Sequence, residues 1–232
     1  MVRTMLSKSA ARAFFLAGTA LCAVAFVGLT VDTLGRIPKQ TRQDQLTEPV
    51  RRGKHLWDRS NCMGCHTLLG EGAYYAPELT KVIERRGPVF VRAMLTDPEK
   101  MYPGQRRMWK YDFSEQDKDD LIAFFTWIGG MDLNGFPPVP TLGLGAPPTG
   151  AAADNIARPQ IFNQICVACH ALGGQGGKVG PALDGVGARL SAPQLTAWLR
   201  DPPAVKPGTA MPKLPLTEGQ LDELTAFLSA LK

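Results

Sequence analysis

The sequence predicts an all-α protein, with an N-terminal transmembrane helix followed by two small helical domains of one design. Three observations lead there. Ala13 to Val31 runs for 19 residues without a charge. The pattern Cys-x-x-Cys-His occurs twice, at Cys62-Met63-Gly64-Cys65-His66 and Cys166-Val167-Ala168-Cys169-His170. Each copy is followed, at matched distances, by a proline, a methionine and an amphipathic closing helix. The resulting division is a tail and anchor at 1–35, a first domain at 36–135, a linker rich in Pro, Gly and Ala at 136–157, and a second domain at 158–232.

The apolar run can cross the hydrocarbon core of a bilayer, for which about 17–25 residues suffice. Arg3, Lys8 and Arg12 precede it and no acidic residue does. They hold the N-terminus in the cytoplasm and send everything after Asp32 across the inner membrane. The expected arrangement is a single-pass protein in contact with lipid through its anchor, its two domains in the periplasm. A cleaved signal peptide is the competing reading. Its apolar core is usually shorter, about 7–15 residues, and no small-x-small signal follows Val31. The net charge of +5 gathers partly in the tail; residues 32–157 carry 16 basic and 16 acidic side chains. Without a concentrated basic stripe, nucleic acid is not an expected partner.

Cys-x-x-Cys-His is the attachment sequence for c-type haem. Two thiols about one helical turn apart can bond both vinyl groups of one porphyrin, and the adjacent histidine reaches the iron from the same side. A four-cysteine zinc site or a pair of redox dithiols is the alternative. Neither requires a histidine after each second cysteine, and neither predicts the matched downstream sequence. Pro77 and Pro181 each lie 11 residues beyond their histidine; Met108 lies 42 beyond His66, and Met211 lies 41 beyond His170. Ser114 and Thr217, each six residues past its methionine, open helices with apolar residues at helical spacing, Leu121, Phe124, Phe125 and Ile128 in one and Leu221, Leu224 and Leu228 in the other. Val50–Asn61 and Pro159–Ile165 read as the helices leading into each haem motif.

Only three histidines occur, His55, His66 and His170. Two belong to the motifs, so two bis-histidine haems are impossible within the chain. Met211 is the one methionine of the second unit and its expected sixth ligand. The first unit offers Met63, Met94, Met101, Met108 and Met131. Met63 is trapped in the motif and Met131 falls after the closing helix. Repeat alignment selects Met108, with Met94 and Met101 remaining as alternatives. His55 reads as a surface or satisfied helix histidine. The expected cofactors are thus two covalent haems c, held by Cys62, Cys65, His66 and Met108 and by Cys166, Cys169, His170 and Met211. A filled sixth position favours electron transfer over catalysis on a substrate. Gly173–Lys178 lacks the features of a phosphate loop and reads as a flexible loop beside the second haem.

Each unit resembles a small class I cytochrome c. That resemblance implies that a proline carbonyl, from Pro77 and Pro181 here, orients the iron-bound imidazole through its free N–H. The first unit is more particular. Arg52-Gly53-Lys54-His55-Leu56-Trp57, Asn61 through Leu79, Tyr102-Pro103-Gly104-Gln105-Arg106-Arg107-Met108 and Gly135-Phe136-Pro137-Pro138 resemble the cytochrome c subunit of bacterial nitric oxide reductase. The likeness covers roughly residues 10–140. It implies an electron-transfer protein, with no catalysis of its own, bound to an integral-membrane partner. That partner carries haem b, haem b3 and non-haem iron and reduces two nitric oxide molecules to nitrous oxide and water. Electrons would arrive from a periplasmic donor. The resemblance also implies a calcium ion near the interface with the partner, with Gly72 and Tyr74 among its ligands.

The departure is the second domain, since members of ordinary length stop near the position of Pro138. The linker composition suggests an extended, partly flexible tether, and the appended domain reads as a fused electron donor. Two other assignments stand beside this one. The first is a dihaem subunit of a terminal haem-copper oxidase, against which Thr67–Leu79 argues. The second is a free membrane-tethered electron shuttle or haem sensor.

Overall fold

The computed structural model describes residues 7–104, 107–138 and 158–232. The chain forms two compact units, residues 1–45 and 46–232. The first is helix α1, Lys8–Gln40, followed by a 3-10 turn at Gln43–Gln45. The Ser7 hydroxyl caps α1 by accepting from the Ala10 N–H at 3.2 Å. No residue of α1 is buried, and its most apolar 18-residue window has a mean hydropathy of 2.2. By length and composition the helix can cross a membrane. Thr30 and Thr33 donate to the carbonyls of Phe26 and Leu29 at 2.8 Å, which satisfies their hydroxyls within the helix. The helix continues past residue 35 through the Asp32–Arg36 ion pair and Pro38.

The second unit holds both domains. The first domain starts with α2, Glu48–Arg59, a 3-10 turn at Cys62–Gly64, and the hairpin β1, Thr67–Leu68, and β2, Glu71–Gly72. It continues through α3, Val82–Thr96, the single turn α4, Pro98–Met101, and α5, Glu115–Gly129. Gly87, at φ 71°, breaks α3 before Pro88. Ser114 and Asp117 close a full capping box on α5. Helices α2 and α5 cross at Gly53, and Leu56, Trp57, Leu121, Phe124 and Phe125 fill the space between them. Each such side chain contributes about 1.5–3 kcal/mol by leaving water.

Beside that crossing, Arg52 donates from Nε and Nη2 to the two oxygens of Asp120 at 2.7 and 2.8 Å. The Asp120 side chain is 2% exposed and that of Arg52 45%. The Arg52 hydrogen bond, with further donation from Gln116, holds the Asp120 carboxyl below its ordinary value of 3.8 against the opposing effect of burial. A carboxyl depressed by folding stabilises the fold above its unfolded value, and that stability is lost as the pH falls through the folded value. Asp120→Asn is expected to melt several degrees below wild type at neutral pH. The gap should close below about pH 4. A gap that stays the same from neutral to acid pH would show that ionisation of Asp120 contributes nothing.

The second domain repeats the plan in shorter form. It runs through α6, Gln160–Gln164, a 3-10 turn at Cys166–Ala168, and the hairpin β3, Ala171–Leu172, and β4, Gln175–Gly176. Then come α7, Val186–Arg189, α8, Ala192–Arg200, α9, Pro202–Val205, and α10, Glu218–Ala230, capped by the Thr217–Gln220 box. Phe162 and Phe227 meet edge to face, ring centroids 4.9 Å apart. The repeat extends to detail. Asp97 and Asp201 cap the turns that begin with the fully buried Pro98 and Pro202, and each aspartate pairs with a lysine, Lys110 or Lys213.

The fold departs from the sequence expectation at two places. Gly173–Lys178 contains a tight hairpin rather than a plain loop, because Gly173 and Gly174 adopt φ of 60° and 75° and let the chain reverse in two residues. Leu69 and Gly70 make the equivalent reversal in the first domain, at φ 54° and 84°. The leading helices also lie at Glu48–Arg59 and Gln160–Gln164, each ending before its haem motif. Most of the expected linker, residues 139–157, lies outside the described residues. The two domains are nevertheless packed together: Phe90, Ala93 and Met101 of the first lie in one apolar core with Ile161, Phe162 and Ile165 of the second.

Candidate functional site

The two Cys-x-x-Cys-His segments fold alike. In each, the first cysteine's carbonyl accepts from the N–H of the second cysteine and from that of the histidine, at 3.1 and 2.9 Å in one case and 3.2 and 2.9 Å in the other. That 3-10 turn brings both thiols and the imidazole to one end of the leading helix. The histidine is then fixed from behind. His66 Nδ1–H donates to the Pro77 carbonyl at 2.7 Å, and His170 Nδ1–H to the Pro181 carbonyl at 2.8 Å. This selects the tautomer that leaves Nε2 as a free lone pair, the form a metal needs. Burial pushes the His66 pKa down, opposed by the Pro77 hydrogen bond, so the neutral ring is favoured.

Glycines press the backbone close around each histidine. A Cβ on Gly72 or on Gly176 would stand 2.2 Å from the carbonyl oxygen of His66 or His170, and both residues have φ near 120°. A Cβ on Gly180 would stand 2.4 Å from His170 Cε1. Gly72 therefore serves the hairpin as Gly176 does, whatever else it does.

None of the four motif cysteines is in a disulfide. Burial pushes Cys62 up to about 11 and Cys166 up to about 12; Cys169 is raised by burial, with Arg86 pulling it back. A four-cysteine zinc site would need all four sulfurs gathered around one ion. Among the described residues no group of three or more His, Cys, Asp or Glu is gathered for a metal ion. The donor set fits covalent porphyrin attachment: a paired thiol, an oriented neutral imidazole and apolar walls. A haem bound there supplies a one-electron iron couple. The protein's part would be to hold the imidazole and the two thiols and to exclude water.

Met211 is half-buried, and its Sδ accepts from the Trp198 indole N–H at 3.0 Å. Met108 is half-buried against the first domain's core. The other candidates go elsewhere. Met101 is buried in the core shared with the second domain and Met94 packs against it. Met131 is buried in the first core, and Met63 is partly exposed in the motif turn. His55 is exposed on α2. Tyr74 is 87% exposed and does not pack beside the histidine.

Three aromatic residues at these sites are not singled out by sequence pattern. Tyr111 donates to the Ser60 carbonyl at 3.1 Å and stacks on Phe113 with ring centroids 5.0 Å apart. Its phenol is raised by burial and by the neighbouring thiols of Cys62 and Cys65. Trp198 is the third. The signal available was an aromatic three and five residues beyond Met108, but no aromatic follows Met211 at either offset.

Comparison with known proteins agrees with this geometry. The cytochrome c family profile matches residues 50–128 and again 159–232. The C subunit of nitric oxide reductase from Stutzerimonas stutzeri is 40% identical over 137 residues, covering 57% of this chain and 94% of that protein. Its counterpart in Halomonas halodenitrificans is 40% identical over 144 residues, covering 58% and 96%. Cytochrome c oxidase subunit 2 of Alkalihalophilus pseudofirmus is 32% identical over 115 residues, 46% of this chain but 30% of that protein. The chain thus belongs to the cytochrome c family and, within it, to the C subunits of nitric oxide reductases, with a second cytochrome c domain behind the shared part.

Proposed function

We propose that the chain is a membrane-anchored dihaem cytochrome c that carries electrons to the catalytic subunit of a nitric oxide reductase. It is organised as a tail and anchor at 1–35, cytochrome domains at 36–135 and 158–232, and a linker at 136–157. The observation that carries this reading is the doubled site. Two Cys-x-x-Cys-His turns, each with a histidine tied to a proline carbonyl, stand in a chain whose first part matches nearly the whole length of its nitric oxide reductase relatives. Met108 and Met211 serve as the sulfur ligands, and Pro77 and Pro181 orient the imidazoles. With both axial positions filled, the chain has no open iron for a substrate, so chemistry belongs to the partner's haem b3 and non-haem iron. The anchor puts the N-terminus in the cytoplasm and both domains in the periplasm, at the outer face of the inner membrane, where a soluble donor reaches them.

The second domain acts as a built-in donor to the first. Calcium at Gly72 and Tyr74 belongs to the same reading, with the exposed Tyr74 phenol turned to a partner that completes the coordination. The likeness to an oxidase subunit 2 is confined to less than a third of that protein and supports the oxidase reading less well.

The test is the complex purified from mild detergent. Expected are a haem b-containing partner, two covalent haems on this chain by pyridine haemochrome assay, bound calcium by elemental analysis, and turnover of nitric oxide rather than oxygen. Replacing Cys166 and Cys169 by serine should leave the assembly intact and slow turnover with the external donor. A chain that purifies alone, or with an oxygen-reducing partner, overturns the reading. Unchanged turnover in the serine variant removes the donor role of the second domain.

A further inference from the structure

The repeat offers an internal control that isolates one face of the first domain. With Asp97-Pro98 set against Asp201-Pro202, Phe90 corresponds to Gln194, Ala93 to Ala197 and Met101 to Val205. Gln194, Ala197 and Val205 are exposed on the second domain, whereas Phe90, Ala93 and Met101 are buried. Met101 is 3% exposed and Val205 51%. The first domain's own core does not use these three residues; they enter the core of the second. The reason lies in α6, which has five residues where α2 has twelve. Ile161, Phe162 and Ile165 thus lack the cover that a longer leading helix would give, and α3 and α4 of the first domain supply it.

The contact reaches the second haem-attachment turn itself. Cys169 Sγ lies 3.7 Å from the Met101 carbonyl oxygen, and Tyr102 packs against the same core. From Met101 the chain needs only seven residues to arrive at Met108. A Cβ on Gly87 would stand 2.6 Å from Gln164 Oε1, so the bend in α3 also brings the two domains close together.

We infer that Phe90, Ala93 and Met101 form a built-in docking face for the second domain's haem-attachment turn, and that Met101–Tyr102 is the protein bridge between the two attachment sites. The inference rests on the two-haem reading above. One electron crosses the bridge, from ferrous iron at the second site to ferric iron at the first, and no bond forms or breaks and no proton moves. The domains exchange electrons in a fixed pose, so the chain connecting them does not have to bring them together for each transfer.

The full-length protein with both haems attached tests this directly. Pulsed paramagnetic resonance on the two ferric haems should give one narrow distance distribution, and a broad one overturns the docked pose. In the Phe90→Gln/Met101→Gln variant the distribution should spread. Equilibration of a photo-injected electron between the haems should slow by about tenfold or more, since an undocked domain meets its partner only at a finite effective concentration. The potential and spectrum of each haem should stay as in wild type. An unchanged equilibration rate overturns the bridge. Met101→Gln alone, which leaves Phe90 in place, repeats the rate test if the double variant fails to attach its second haem. A wild-type chain with a single covalent haem would sink the two-site reading itself, whereas two haems with no fixed separation would sink the docking face alone.

Discussion

Alanine in place of Met108 is expected to strip the first site of its sulfur ligand and lower its reduction potential by roughly 0.2 V, within the roughly 0.8 V that axial ligands span. A thioether favours ferrous iron, so a water molecule or an empty position in its place favours ferric. The second site keeps Met211 and becomes the reference within the same molecule. Redox titration should therefore show one wave moved and one in place, and the ferric sulfur-to-iron absorption band should halve. Electrons would stall on the second haem, and reductase turnover would fall steeply while the complex stays assembled. Met108 holds the position that repeat alignment selects, and its rivals go elsewhere: Met94 and Met101 pack in the core shared with the second domain, and Met131 is buried in the α2–α5 core. Two unmoved waves would hand the ligand role to another residue.

The second large effect is on stability. Gly53→Ala is expected to destabilise the first domain by about 3 kcal/mol, the upper end of the usual cost of overpacking. A Cβ there would stand 2.0 Å from the Asp120 carbonyl oxygen, 2.6 Å from its carbon and 2.7 Å from Phe124 Cβ. Two of these three are backbone atoms of α5, which no rotamer change can move aside. The helices must separate, and the Trp57 and Phe124 packing and the Arg52–Asp120 pair must loosen with them. At about 2–4 °C per kcal/mol for a chain of this size, the first transition should fall by about 6–12 °C. Haem absorbance at the first site reports it. A variant that melts with wild type would mean that α2 and α5 lie farther apart than described.

Much of the site was legible because it is local and doubled. The interval from each histidine to its proline follows from the turn and hairpin between them, so equal spacing signalled equal geometry. The capping residues Ser114 and Thr217 were legible for the same reason. The docking face was not. Phe90, Met94 and Met101 sit at spacings that any helix burying one side would show, and periodicity does not say whose interior they enter. Only a position-by-position comparison of the repeats, Phe90 against Gln194 and Met101 against Val205, carried that information. The hairpins escaped because strands of two residues have no period to detect. Leu69 at φ 54° is a non-glycine residue in a left-handed conformation, and nothing in its side chain announces that.

The apolar flank of α3 and α4 also bears on biogenesis. The first domain is synthesised before its cover, so Phe90 and Met101 meet water, chaperones and neighbouring chains in the interval. Proteolysis that removes the C-terminal portion would recreate the same bare surface on a mature molecule. Quality control thus has a simple cue for a missing second domain, greasy side chains that this domain hides.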